Sequence, residues 1–151
     1  MEIEQWRTRN AGVDDATTLA ALATQLGYPT TQQQSCDRLS AILDSPEQTV
    51  IVATSKDTSI VGWIHVFVTL RVESDCFAEI GGFVVAEGDR KKGIGTRLLA
   101  AAEAWTIGQG ITKLRVRSRT SREDAHQFYR RLGFSGAKEQ QVFDKQLAIK
   151  S

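Results

Sequence analysis

A basic, glycine-containing turn joins a predicted strand to a predicted helix in the middle of the chain. The run from residue 80 to residue 86 is rich in β-branched residues and predicts a strand, and apolar residues at helical spacing after Gly95 predict a helix. The first backbone N–H groups of a helix have no intrahelical partners and carry the positive end of the helix dipole. Glycines such as Gly93 and Gly95 let an anion approach these groups closely. The pattern therefore predicts a phosphate-binding site.

Basic side chains add positive charge around the same turn, and they are Arg90, Lys91, Lys92 and Arg97. The two common nucleotide-binding loops do not fit. The dinucleotide fingerprint requires a glycine where Leu98 stands, and the P-loop requires Gly-Lys-Ser/Thr where Gly95 is followed directly by Thr96. The turn therefore belongs to another kind of anion site.

Two segments resemble motifs of the GNAT superfamily of N-acetyltransferases. Residues 90–95 are similar to its acyl-CoA pyrophosphate loop, Arg/Gln-x-x-Gly-x-Gly/Ala, and residues 125–134 are similar to its Ala-x-x-Phe-Tyr-x-x-x-Gly-Phe helix. The resemblance covers residues 49–147 well and the first third in outline, and it looks like small bacterial members compared with aminoglycoside N-acetyltransferases. It implies acetyl-CoA as cosubstrate, with the pyrophosphate bound by Arg90, Lys91, Lys92, Gly93, Ile94, Gly95 and Thr96.

Gly81 and Gly82 lie inside the predicted strand, where glycine usually weakens pairing and marks a bulge or a close backbone approach. The resemblance implies a bulge that separates this strand from its parallel neighbour. Backbone groups of Phe83, Val84 and Val85 would then bind the pantetheine amides. The alternative is a bend in the sheet with no role in ligand binding.

Glu79 stands eleven residues before Arg90, where some GNAT members, notably histone acetyltransferases, carry a general base. The pKa of an ammonium lies about six units above that of a free glutamate, so direct proton transfer would cost roughly 8 kcal/mol. Burial, a relaying water or a less basic acceptor would narrow this gap. The alternative is that Glu79 is a structural carboxylate held in an ion pair at the strand edge.

Tyr129 matches the family tyrosine that hydrogen-bonds the CoA sulfur and protonates the departing thiolate. The reference pKa values of tyrosine and of a thiol make that transfer uphill by only about 2 kcal/mol. Without the motif, a tyrosine beside Phe128 would be interpreted as a core residue with its hydroxyl at the rim. The sequence departs from the family at Arg122, where many members have asparagine.

The resemblance, together with the order of the predicted elements, implies a single-domain α/β GNAT fold over residues 1–151, with a mixed, mostly antiparallel sheet of six to seven strands and about four helices. Thr31 and Gln34 form a capping-box pattern at the start of the second helix. The strand over residues 112–118 should pair parallel with the Glu79 strand, its arginine-bearing face solvated. A closing hairpin is expected from Phe134, ending in residues 142–147.

The 151 residues carry a net charge of +1, which argues against a nucleic-acid or membrane-surface binder. Residues 1–10 contain no apolar signal-peptide region, so a cytoplasmic protein is expected. Cys36 and Cys76 have no metal-ligand spacing, and no metal is implied. His65 is interpreted as a structural histidine in an apolar strand.

The resulting hypothesis is an N-acetyltransferase that transfers acetyl from acetyl-CoA to a primary amine by direct attack. The acceptor is a small amine or a protein amine, and a homodimer is left open. Family resemblance places the acceptor against residues 27–31 and 63–73. The alternatives are a CoA-binding module without activity and a plain interaction domain.

Overall fold

One sheet contains five strands, hydrogen-bonded to each other in the order in which they occur along the chain. The computed structural model describes residues 6–89, 93–118 and 122–149. The chain forms two compact units, residues 1–117 and residues 118–151. The sheet and three helices belong to the first unit, and one helix belongs to the second.

The strands of the first unit are β1 Arg7–Asn10, β2 Gln48–Thr54, β3 Ile60–Thr69, β4 Phe77–Val85 and β5 Leu114–Val116. Its helices are α1 Ala16–Gln25, α2 Gln32–Leu43 and α3 Ile94–Gly108. The pairs β1–β2, β2–β3 and β3–β4 are antiparallel, and β4–β5 is parallel. The mixed, mostly antiparallel α/β architecture of the GNAT fold is confirmed, as is the parallel pairing of the Glu79 strand.

The helices pack on opposite faces of the sheet. Val50 and Val52 of β2 join a core cluster with residues of α1 and α2, including Leu19 and Leu39. Side chains alternate along a strand, so Ile51 points to the other face. Helix α3 contacts β2 and β3 and contributes the fully buried side chains Ile94, Leu98 and Leu99 to the core.

Local sequence rules account for where α2 begins. The backbone N–H of Gln34 donates to the Thr31 hydroxyl oxygen at 3.0 Å, and the backbone N–H of Thr31 donates to the Gln34 side-chain oxygen at 3.0 Å. These reciprocal bonds satisfy amide groups that the helix itself leaves without partners. The predicted capping box is confirmed.

The second unit contains helix α4, Glu123–Arg131. Gly133 follows the helix with a φ of +98°, a left-handed conformation that favours glycine. The Phe134 N–H donates to the Tyr129 carbonyl oxygen at 3.0 Å and closes the helix end. The end of this helix agrees with the prediction from the sequence.

The predicted closing hairpin is wrong for the part of the second unit that the structure describes, residues 122–149. No strand is present there, and apolar side chains of the expected hairpin are exposed: Val142, Phe143, Leu147 and Ile149. An isolated two-stranded hairpin is only marginally stable, and charged residues interrupt the apolar alternation here. Within the described residues the sheet therefore has five strands rather than six to seven.

Candidate active site

Strand β4 carries a bulge at Gly81. On β3, His65 and Val66 are consecutive, whereas their partners on β4 are Gly82 and Ile80. Gly81 is the extra residue, and it has no counterpart in the ladder. One strand then bends and twists away from the regular path. The bulge expected from the glycine pair is present.

Both glycines are required by the side chains of β3. A Cβ atom on Gly82 would lie 2.6 Å from the Trp63 ring, and one on Gly81 would lie 2.9 Å from both the His65 Nδ1 atom and the Phe67 ring. Real Cβ atoms do not approach other atoms this closely, so a larger residue would displace the rings. The bulge therefore depends on the absence of side chains.

The pairing of β5 with β4 stops just before the bulge. The parallel ladder joins residues from Ala78 to Ile80 with β5, whereas β4 continues to Val85. Within the described residues, β5 contributes no pair to the last part of β4. This arrangement is the opening between parallel strands that the sequence led us to expect.

Backbone groups of Phe83 and Val85 point toward the β5 side of β4. The Ala86 N–H donates to the Val61 carbonyl oxygen of the β3 side at 2.7 Å. Hydrogen bonding alternates from residue to residue in an antiparallel pair. Val84 therefore directs its backbone groups to β3, and its two neighbours direct theirs away.

The bulge changes which residues of β4 direct their backbone groups toward β5. Before it, the Ala78 N–H donates to the Lys113 carbonyl oxygen at 2.9 Å, so the even-numbered residues face β5. After it, the odd-numbered residues do. Of the three residues predicted to bind the pantetheine amides, Phe83 and Val85 have the required backbone orientation, and Val84 does not.

Helix α3 begins beside an open space. Gly93, at its N-cap, has a φ of +85°, and no atom of the described residues lies within 4 Å of a Cβ built on it. Ile94 is 1% exposed and anchors the first turn in the core. The N–H groups of Gly95 and Thr96 belong to the first turn and have no intrahelical acceptor. An anion fits here.

Three of the predicted phosphate-binding residues lie outside the described residues, namely Arg90, Lys91 and Lys92.

Glu79 forms an ion pair with Arg117. The Arg117 Nε donates to Glu79 Oε2 at 3.0 Å and its Nη2 donates to Oε1 at 3.4 Å. The Glu79 side chain is 13% exposed and that of Arg117 is 43% exposed. The ion pair that we considered as the alternative is present, and the expectation that the arginines of β5 are merely solvated is wrong. Each carboxylate oxygen retains a second lone pair, which can accept from another donor.

His65 lines a cavity on the face of the sheet that also carries Glu79. Its Nε2 atom lies 2.9 Å from the Gln48 side-chain oxygen, and its ring is 5.5 Å from that of Phe67. The cavity has a volume of about 260 Å³ and is lined by Ser45, Glu47, Gln48, His65, Phe67 and Val68. The satisfied contact agrees with the interpretation of His65 as a structural residue.

The burial of His65 predicts a pH-dependent stability. Burial lowers the pKa of His65 from its ordinary value of 6.5. Below about pH 6.5 the unfolded chain therefore binds more protons than the folded chain, and the free energy of unfolding falls with falling pH. His65→Gln should flatten this dependence, by at most about 1.4 kcal/mol per pH unit. Denaturant unfolding from about pH 5 to 8 measures it.

The matched control is His126→Gln, at the second of the two histidines of the chain. An equal flattening in that variant, or none in His65→Gln, would contradict the assignment.

Tyr129 lies on α4, in the second unit. Its ring makes edge contacts with Phe128 at 5.5 Å and with Phe134 at 5.6 Å. Burial raises the pKa of the Tyr129 phenol above its ordinary value of 10.0, and the Arg122 cation acts in the opposite direction. The phenol is therefore protonated at neutral pH and can donate a proton.

Arg122 is the N-cap residue of α4 and makes no side-chain capping bond. Its charge acts on the Tyr129 phenol, so a cation accompanies the tyrosine where many GNAT members have asparagine. The first unit brings together the β4 opening, Glu79 and the start of α3. The second unit holds Tyr129 and Arg122.

The sequence analysis missed the partner of Glu79. Glu79 and Arg115 are opposite each other in the parallel ladder, and Arg117 follows two residues later on the same face. The predicted parallel pairing already brought the two strands together, so the alternation of arginines on β5 was the available signal. It was interpreted as solvation because the register was not known.

Within residues 6–89, 93–118 and 122–149, no group of three His, Cys, Asp or Glu side chains is arranged to hold a metal ion. None of the helices in those ranges has both the length and the apolar character needed to cross a membrane.

Comparison with known proteins identifies relatives of both the sequence and the fold. The model of the acetyltransferase (GNAT) family matches residues 14–134. No curated protein sequence matches the chain. A GNAT family acetyltransferase of Staphylococcus aureus subsp. aureus is 24% identical, with a TM-score of 0.74, and the match covers 95% of this chain and 100% of that one.

Two aminoglycoside acetyltransferases have similar folds. The 6'-N-acetyltransferase AAC(6')-Ih from Acinetobacter baumannii is 15% identical, with a TM-score of 0.82, and the match covers 95% of this chain and 99% of that one. AAC(6')-Iy, in complex with the bisubstrate analogue CoA-S-monomethyl-acetylneamine, is 16% identical, with a TM-score of 0.84. The match covers 95% of this chain and 100% of that one.

Proposed function

We propose that this chain, which belongs to the GNAT acetyltransferase family, transfers the acetyl group of acetyl-CoA to a primary amine by direct attack in a ternary complex. The observation that carries the proposal is that the β4–β5 ladder ends at Ile80, whereas β4 continues to Val85. The last part of β4 therefore presents an edge to which an extended, amide-containing ligand can pair. AAC(6')-Iy supports the ternary complex, because it binds an analogue that joins CoA to an acceptor.

Acetyl-CoA supplies an activated thioester, and the residues that would hold it are of two kinds. Outward backbone groups of Phe83 and Val85 suit the pantetheine amides, because they would continue a strand ladder. Amide N–H groups of Gly95 and Thr96 suit the pyrophosphate, because the start of a helix attracts anions. A Cβ built on Gly93 would meet no non-neighbouring atom of the described residues within 4 Å, which supports this assignment.

Glu79 is proposed to remove a proton from the attacking amine, directly or through a water molecule. Arg117 occupies one site on each carboxylate oxygen and fixes the orientation of the group. The remaining lone pairs can accept from an ammonium or from water. The ion pair therefore positions the base and leaves room for the proton.

Charge that develops on the acetyl oxygen needs a backbone donor nearby. Of the backbone N–H groups of Val84 and Val85, the hydrogen-bond alternation favours that of Val85, because Val84 directs its backbone groups to β3. Tyr129 is proposed to protonate the departing thiolate, for which its phenol must be neutral. Burial raises the pKa of that phenol, which keeps it protonated at neutral pH but makes it a weaker acid, and the Arg122 cation acts against this shift.

Thiol release tests the proposal. Acetyl-CoA is mixed with a panel of primary amines and free thiol is measured, while calorimetry measures CoA binding in parallel. Release that depends on an amine supports the transferase. Binding of CoA without release would identify a CoA-binding module, and neither binding nor release would identify an interaction domain.

Glu79→Gln should lower the rate about 10- to 100-fold at neutral pH, near the lower end of the effect of a lost general base. The loss should shrink as the pH approaches the pKa of the acceptor amine, which then needs no base. Steady-state thiol release, from neutral pH up to the pKa of the acceptor amine, measures the rates of the parent and of Glu79→Gln.

Arg117→Gln is the matched control, because it breaks the same ion pair and keeps the carboxylate. Its rate should stay well above that of Glu79→Gln. If both variants lose the same activity at every pH, Glu79 has a structural role only.

A further inference from the structure

Three cationic side chains surround the ring of Phe77 in β4. The Arg115 Cζ atom lies 4.2 Å from the ring centroid, the Arg71 Cζ atom 5.3 Å and the Lys113 Nζ atom 5.5 Å. Phe77 is 1% exposed. The cations are attracted to the ring electrons, but they also repel one another.

Arg71, Lys113 and Arg115 form no ion pair within the described residues. The Nη1 atom of Arg115 is buried and has no hydrogen-bond partner there. Arg117, which follows β5, differs because it is paired with Glu79. Buried polar groups in native structures are nearly always hydrogen-bonded, so Arg115 would gain the acceptor that it lacks if its side chain shifted toward a bound anion.

The cluster is adjacent to Glu79. Arg115 is opposite Glu79 in the β4–β5 ladder, and Phe77 precedes Glu79 by two residues, so its side chain points to the same face. Neighbouring strands are about 5 Å apart and alternate residues of a strand about 7 Å apart. An anion at the cluster would therefore lie about 5–8 Å from a group held by Glu79.

We propose that the acceptor is a small amine that also carries an anionic group, a carboxylate or a phosphate, and that the Phe77 cluster binds this group. The inference rests on the proposed acetyl transfer. Arg115 is the central residue, because its guanidinium stacks on Phe77 and can form paired hydrogen bonds with either oxyanion. Arg71 lies within residues 63–73, which the family resemblance assigns to the acceptor wall.

The same charges disfavour a polycationic acceptor. An aminoglycoside carries several ammonium groups and would meet three uncompensated cations beside the proposed base. This chain shares its fold with aminoglycoside acetyltransferases, but we therefore do not expect it to share their acceptors.

Two matched pairs of amines test the proposal, ethanolamine with phosphoethanolamine and β-alaninamide with β-alanine. The members of each pair differ in the anionic group and share the amine. We expect kcat/KM to favour the anionic member of at least one pair by about tenfold or more, mainly through KM. The pair that shows the larger ratio identifies phosphate or carboxylate. The preference should weaken as salt is added.

Arg115→Gln should remove most of this preference, measured as the ratio of kcat/KM between the two members of each pair. Lys113→Gln, at an exposed position, should weaken the preference less. Lys56→Gln, in the β2–β3 turn, is the charge-matched control and should leave the preference unchanged. Circular dichroism and CoA titration show that each variant is folded.

Binding is measured separately, by titrating phosphoethanolamine and β-alanine into the CoA-loaded protein. Equal kcat/KM within both pairs, or a preference for the aminoglycoside neamine, would overturn the inference and leave the acetyltransferase proposal intact. Binding that Arg115→Gln abolishes, without thiol release from any amine, would support the anion site and count against the proposed transfer. If the anionic amines neither bind to the CoA-loaded protein nor react in preference to their partners, the inference is overturned.

Discussion

Tyr129→Phe should lower turnover by about 10²- to 10⁴-fold, the range typical of a lost general acid, while acetyl-CoA affinity barely changes. The substitution keeps the ring that packs against Phe128 and Phe134 and removes only the hydroxyl. The leaving thiolate would then have to depart without a proton from the enzyme. Steady-state thiol release and direct titration of acetyl-CoA measure the two quantities.

Phe134→Leu is the companion variant, because it removes a ring contact of Tyr129 and retains the hydroxyl. Its turnover should fall much less than that of Tyr129→Phe. A Tyr129→Phe rate within about threefold of the parent would mean that solvent or another group protonates the thiolate. A matching loss of affinity would mean that the hydroxyl mainly holds the cosubstrate.

Gly95→Val should raise the dissociation constant of acetyl-CoA by about 10²-fold or more, because its side chain would compete with the pyrophosphate proposed to bind the Gly95 and Thr96 N–H groups. Two lost charge-assisted hydrogen bonds, at about 1.5–3 kcal/mol each, are enough for this effect. The fold should survive, because valine has a higher helix propensity than glycine. Calorimetry and thermal unfolding measure binding and stability.

Position 95 gives a clearer test than position 93. Gly93 has a φ of +85°, so a β-branched residue there would strain the backbone as well as block the site. Ala104→Val, at an exposed position of the same helix, is the matched control and should bind acetyl-CoA like the parent. Unchanged affinity in folded Gly95→Val would refute the assignment of the loop.

Patterns that depend on near neighbours were predicted well from the sequence. The capping box of Thr31 with Gln34 and the glycine after α4 each rest on a rule that spans only a few residues. The bulge at Gly81 was also anticipated, because glycine inside a strand often marks an extra residue in the ladder. The parallel neighbour followed from the length of the strand–helix–strand segment.

Features set by tertiary register were predicted less well. Arg117 is 38 residues from Glu79, and no local rule selects that pair from the other cations of the chain. The orientation of Val84 likewise depends on the parity that the bulge imposes on the ladder. The closing hairpin failed for a different reason, since charged residues interrupt its apolar alternation and an isolated two-stranded hairpin is only marginally stable.

The bulge also separates two properties of β4, its path and the direction of its backbone groups. Deleting one of the two glycines would leave the same β3 partners in a uniform ladder, so Phe83 and Val85 would still direct their backbone groups away from β3. What the deletion would remove is the local bend and twist that the extra residue imposes. The divergence of β4 from β5 therefore depends on one residue of strand length, which a substitution within residues 83–85 leaves unchanged.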